Sequence, residues 1–223
     1  MTPFAPELWV ATEPVQHLGL QLTTTMALVR LGDGSLLAYS PVRLTSERRA
    51  AVDALGPVAH VYAPNTFHHL WAGEWTAAYP DARLHAPAGL AAKRSDLRIA
   101  RVPGKSLEPA FAGVLEELPL DGFRLEETVL FHAPSRTLVA ADLVQNVGRP
   151  EHLWTALYAR MNGFYDRVAL SRMLHWVAVS DRAALRRSVD KIVDHPFERV
   201  IVGHGEPVRE EGRRKIARAY ARA

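Results

Sequence analysis

Short apolar runs of strand length alternate with stretches of helical periodicity along most of this 223-residue chain, and that alternation restricts its fold more than any other feature. Met26-Ala27-Leu28-Val29-Arg30-Leu31 and Ser35-Leu36-Leu37-Ala38-Tyr39 flank Gly32-Asp33-Gly34, a hairpin turn signal. Residues 8–11 and 18–25 are expected to precede them in the same sheet. Thr45 or Ser46 caps a helix running to Leu55, with Gly56 as its stop. Further strands are predicted at 58–62, 83–86, 97–102, 114–120, 128–132, 137–141 and 198–202. Helices are predicted at 70–79, with Leu70, Trp75 and Ala78 as the apolar face, and at 89–94. Another is predicted at 165–177, where Leu170, Met173, Leu174 and Val177 repeat at i, i+3, i+4 and i+7. A last pair begins at Ser180 and in the basic tail. Strands interleaved with helices imply a layered α/β protein. At 48% hydrophobic residues, with no linker-like stretch, one domain spanning residues 1–223 is expected.

Composition narrows the chemistry. There is no cysteine, so disulfides, thiolate zinc sites, iron–sulfur clusters and thiol nucleophiles are excluded together. Any metal must rest on histidine and carboxylate. The net charge of +3 is concentrated in residues 209–223, where six basic side chains face two acidic ones. Ile216 and Tyr220, four apart, make that tail an amphipathic helix. No nucleic-acid partner is expected from it, because no stacking-aromatic or helix-turn-helix signature accompanies the charge. No apolar run approaches a membrane span and the N-terminal residues do not resemble a signal peptide, so a cytoplasmic protein with no membrane partner is expected.

Three loci place metal-competent side chains just after a predicted strand, where layered α/β folds bind ligands. The first is Ala63-Pro64-Asn65-Thr66-Phe67-His68-His69, the second Asp142, the third Gly203-His204-Gly205. Taken singly, each has a plainer reading as a cap, a turn residue or an incidental histidine. Together, three imidazoles and a carboxylate suit Zn²⁺ or a similar ion. The glycines beside His204 permit close approach to a ligand. The remaining histidines, His17, His60, His85, His132, His152, His175 and His195, are expected to be structural. Rival motifs are missing: there is no G-x-S-x-G, P-loop, G-x-G-x-x-G or H-E-x-x-H.

The order of these loci resembles the metallo-β-lactamase superfamily over most of the chain. Residues 61–69 overlay that family's H-x-H-x-D-H loop, Leu138-Val139-Ala140-Ala141-Asp142-Leu143 its Gly-Asp strand, and Val200-Ile201-Val202-Gly203-His204-Gly205-Glu206-Pro207 its closing Gly-His-Gly-x-Pro. The resemblance implies a layered αββα sandwich. Pro64 and Thr66 stand where the first two histidines belong, and His68 replaces the motif's Asp. The mid-chain metal histidine has no counterpart near Leu120-Asp121-Gly122, and Tyr39-Ser40-Pro41 lacks the family's early Asp. One metal site is therefore lost. The other is matched by His68, His69, Asp142 and His204, implying one divalent metal, zinc first, with manganese or iron as alternatives.

The implied activity is that of a mononuclear metal hydrolase, its metal-bound water attacking an ester, amide, thioester or phosphoester. The alternative is a non-enzymatic binding or structural protein on a degenerate scaffold. A redox diiron site needs two complete metal sites, which this chain lacks. A small-molecule substrate is expected, its identity and the oligomeric state being beyond the sequence. Residues 143–164, the weakest helical pattern, are expected to cover the site.

Overall fold

The computed structural model describes residues 1–221; the side chain of His17 and the last two residues of the basic tail lie outside that description. Among the described residues, eleven strands form two sheets. The first contains β1 (Thr2–Ala5), β2 (Leu8–His17), β3 (Leu20–Arg30), β4 (Leu36–Tyr39), β5 (Val58–Tyr62), β6 (Arg83–His85) and β7 (Ile99–Arg101), in that order. Its first four strands are an antiparallel meander, and β4 through β7 run parallel. The second sheet contains β8 (Leu115–Pro119), β9 (Thr128–His132), β10 (Thr137–Val139) and β11 (Arg199–Ile201), with β10 between β9 and β11. Helices α1 (Ser46–Asp53), α2 (Ala72–Ala78) and α3 (Ala88–Lys93) connect strands of the first sheet. Helices α4 (Leu153–Asn162), α5 (Arg172–Ala178), α6 (Arg182–Asp194) and α7 (Gly212–Tyr220) belong to the second half.

Period-two alternation explains the layering. In β3, Met26 and Leu28 join Val52 of α1 and Trp75 of α2 in an outer core, while Ala27 and Val29 turn inward. In the other sheet, Leu138 and Val200 pack outward with Leu185 and Val189 of α6, and Val139 and Ile201 turn inward. The inward sets of both sheets meet in one central core. Strands buried on both faces read as continuous apolar runs rather than alternating ones. The architecture is the expected αββα sandwich.

Local signals held at the first helix. Thr45 is its N-cap, the hydroxyl accepting from the Arg48 amide at 3.2 Å. Thr45→Ala is expected to cost about 1 kcal/mol, visible as a fall of about 2–4 °C in Tm. A thermal melt indistinguishable from wild type would contradict that role.

Two helix assignments are corrected. The expected helix at 165–177 begins only at Arg172, because Asp166 has φ 55° and Ala169 exchanges two backbone hydrogen bonds with Gln145. The segment expected to be weakly helical instead holds α4. Its buried residues are the small Thr155, Ala156 and Ala159, whereas Leu153, Trp154, Leu157 and Met161 are exposed. Its apolar pattern is thus the reverse of a core-facing stripe. Leu70, expected on the buried face of α2, precedes that helix and is 63% exposed. The C-terminal helix does bury Ile216 and Tyr220, whose hydroxyl donates to the Leu143 carbonyl at 2.8 Å. Among the described residues, no helix is long and apolar enough to cross a membrane.

Candidate metal centre

The loops after β5, β10 and β11 meet at one end of the sandwich. His68, Asp142 and His204 each offer a ligand atom, and the three atoms lie within 4.8 Å of one another. His68 Nε2 is 3.6 Å from Asp142 Oδ2, and His204 Nε2 is 3.7 Å from Asp142 Oδ1. Both separations are too long for hydrogen bonds. Two ligand atoms each about 2.1 Å from a tetrahedral ion stand about 3.4 Å apart, so the spacing fits side chains gripping one cation. His69, the fourth expected ligand, is not in this group. Its Nδ1 faces the Arg94 guanidinium at 3.1 Å, and both burial and the neighbouring Lys93 and Arg94 hold the ring below its ordinary pKa.

Neighbouring groups fix each ligand. His204 Nδ1 lies 2.8 Å from the Thr23 carbonyl, which can only accept. The proton therefore sits on Nδ1, and Nε2 turns a lone pair toward Asp142. Burial first, then His68, holds His204 below the ordinary imidazole value. His68 Nδ1 pairs with Ser40 Oγ at 2.8 Å. Ser40 sits at the end of β4 with φ 53°, an uncommon conformation for a non-glycine residue that here orients its hydroxyl toward the ring. Burial opposes a proton on His68, but the Asp142 carboxylate more than offsets this and raises its pKa. Burial likewise pushes Asp142 up, yet His68, His204 and the Asn65 amide bring it down to about 2.

Two residues that the motif comparison did not single out build the cradle. Asn65 is fully buried, and its Oδ1 accepts from the amides of Phe67 and His68 at 2.8 Å each, folding the loop so that His68 points inward. Its Nδ2 donates to Asp142 at 2.9 Å and to Glu127 at 3.2 Å. Glu127, at 1% exposure, accepts from the amides of Ala141, Asp142 and Leu143. Burial and the adjacent Asp142 push Glu127 up to about 7, against the pull of those N–H groups. Asn-x-x-His at the loop was a readable Asx-turn signal; nothing near Glu127 in sequence announces its partners. Gly203 proves necessary: a Cβ there would stand 2.6 Å from the Ala141 carbonyl oxygen and 2.8 Å from the His68 ring.

The group opens into a cavity of about 400 Å³ whose floor includes Ser40, His68, Asp142 and His204. Tyr158 of α4 forms part of its wall, so the segment expected to cover the site does reach it.

Among the described residues a second cluster, His60, His85 and Glu108, also brings potential ligands together. Arg101 donates to His85 Nδ1 at 3.2 Å, so His85 carries its proton on Nε2 and gives it to His60 Nδ1 at 2.9 Å. Arg83 pairs with Glu108 at 2.7 Å. The lone pairs are spent on hydrogen bonds and two guanidiniums stand close by, which disfavours a further cation. His132 is likewise internal. Its Nδ1 donates to Ser135 Oγ, which passes its own proton to Thr137 Oγ1 at 2.8 Å.

No known family profile and no curated protein matches the chain. Solved structures do. A metallo-β-lactamase from Pontibacter korlensis superposes with TM-score 0.69 at 13% identity, covering 99% of this chain and 96% of that one. The DIM-1 metallo-β-lactamase gives TM-score 0.66 at 11% identity over 99% and 96%. The Flv1 flavodiiron core from Synechocystis sp. PCC6803 gives TM-score 0.69 at 14% identity over 99% of this chain and 59% of that one. With its two sheets flanked by helices and its three loops converging at one end, the chain has the metallo-β-lactamase fold.

Proposed function

We propose that the protein is a metal-dependent hydrolase with a mononuclear site held by His68, Asp142 and His204. The observation carrying this reading is the pair of 3.6 and 3.7 Å gaps, too long for direct hydrogen bonding and close to ligand–ligand spacing around one ion. A divalent ion there, zinc first and manganese or iron as alternatives, would act as a Lewis acid and lower the pKa of water. Two imidazoles and one carboxylate amount to three protein ligands, the number that leaves a position open in catalytic zinc sites. With His69 turned to Arg94, nothing on the loop after β5 fills that position with a fourth imidazole.

The chain's own residues do the positioning. Thr23 fixes the His204 tautomer, Ser40 steers His68, and Asn65 with Glu127 locks Asp142. Such outer partners orient ligands and tune their basicity. Burial of Asp142 and His68 strengthens the field of the charges on the cavity floor.

The test is elemental analysis of protein purified without chelator, with melts in Zn²⁺, Mn²⁺, Fe²⁺ and EDTA. About one ion per chain is expected, with a stabilisation of about 4 kcal/mol at a thousandfold excess over Kd. Asp142→Ala and His204→Ala should each abolish it. Less than about a tenth of an ion per chain, with melts indifferent to every metal, would leave a non-enzymatic scaffold as the better reading.

A further inference from the structure

We infer that the substrate is a carboxylic ester or thioester with an apolar acyl chain that lies in the cavity above His68, Asp142 and His204. This inference rests on the hydrolase reading and selects among the bond types that reading allows. Hydrolysis adds water across the acyl–oxygen or acyl–sulfur bond, leaving a carboxylic acid and an alcohol or thiol.

The walls of the cavity are largely apolar. Val15, Leu20 and Leu22 enter from the β2–β3 hairpin, Phe67 and Trp71 from the loop after β5, and Leu174 from α5. Its volume of about 400 Å³ lies in the range of small-molecule sites. A wall of this kind recognises hydrocarbon, whose burial is favourable in proportion to the area removed from water.

The polar groups argue against the other bond types. A phosphoester would need guanidiniums or a cluster of cations around its oxygens. Among the described residues, no arginine lines the cavity, and Lys93 is the lysine on its wall. That ammonium donates to the Thr66 carbonyl at 2.8 Å and sits 4.7 Å above the Phe67 ring. A peptide would need backbone partners along an extended edge. The polar side chains above the floor are instead Gln16, Thr24, His69, Gln145 and Tyr158 besides Lys93.

The experiment separates this inference from the metal reading. Protein stripped with EDTA is titrated calorimetrically with acetate, butyrate, hexanoate and octanoate, and with methyl phosphate as the phosphoester probe. Affinity should rise about three- to fourfold per added methylene, and methyl phosphate should bind no better than acetate. Leu22→Trp, which narrows the cavity, should weaken the chain-length dependence. Leu70→Asp, at an exposed position on the rim, should weaken octanoate at least several-fold without altering the fold. An affinity independent of chain length, tighter binding of methyl phosphate than of acetate, or indifference to both variants would overturn the acyl proposal. Because these titrations need no metal, chain-length dependence in a protein that binds no ion would instead count against the hydrolase reading alone.

Discussion

Lowering the pH from 7.5 to 4.5 should withdraw several kcal/mol of stability at two buried histidines, a loss that proton uptake by Glu127, pushed up to about 7, offsets in part. His85 and His132 are both fully buried. Burial first, then His60 and the Arg101 and Arg83 guanidiniums, brings His85 down to about 3; burial brings His132 down to about 4. Each ring is neutral in the folded state over this range, while the same side chain in the unfolded chain takes a proton below about 6.5. Between the folded and unfolded values the unfolded state therefore binds more protons, and stability rises with pH. The stabilisation is complete above about 6.5 and is lost progressively toward 3–4, at about 1.4 kcal/mol per pH unit for each histidine.

Urea titrations across this window would measure the slope. His132→Asn, which can keep the hydrogen bond to Ser135 while removing the titrating ring, should reduce the slope by about one proton's worth. An equal slope in His132→Asn and the wild type would mean that this ring is not held neutral by the fold. The arrangement of His132 supports the expectation. Its Nε2 is buried without a partner, so a proton added there would find no acceptor.

The second large effect is expected at Glu127. Replacing it by alanine leaves the buried amides of Ala141, Asp142 and Leu143 and one Asn65 N–H without their acceptor. Each unsatisfied buried donor costs about 1–3 kcal/mol. Relief of a buried carboxylate and local relaxation offset part of this, so a net loss of about 3–5 kcal/mol is expected. Metal affinity should fall at least 10- to 100-fold, the usual consequence of removing an outer partner of a ligand. Glu127→Gln should rescue little. Its amide nitrogen would face one pair of donors where the carboxylate now offers an acceptor to each. Equilibrium urea unfolding and a competitive zinc titration would read the two effects. Wild-type stability together with wild-type affinity in Glu127→Ala would remove this residue from the cradle.

Much of the layering was legible in the residues. Leu36-Leu37-Ala38-Tyr39 and Leu138-Val139 are apolar on both faces, which only strands sandwiched between helices and a second sheet require. Val58–Tyr62 and Thr128–His132 occur as strands over the predicted bounds. Helix α4 escaped because its buried face is built from Thr155, Ala156 and Ala159, whose small side chains give a periodicity analysis no signal. His60 and His85, expected to be structural histidines, form a hydrogen-bonded pair joined to Arg101, because parallel β5 and β6 set them diagonally across from each other.

By itself, then, the sequence determined the order of strands and helices, the double-faced burial of the strands, the exclusion of cysteine chemistry and the three loop positions where ligands could gather. Those properties follow from local propensity and from which faces must leave water. Only the tertiary structure decided that His68, Asp142 and His204 converge while His69 turns to Arg94, that a carbonyl 181 residues away fixes the His204 tautomer, and that Glu127 ties down the Asp142 loop. Such choices depend on directional contacts between segments far apart in the chain. A hydrogen bond specifies the angle and proton of a side chain, and neither is encoded in the spacing of residues along one strand.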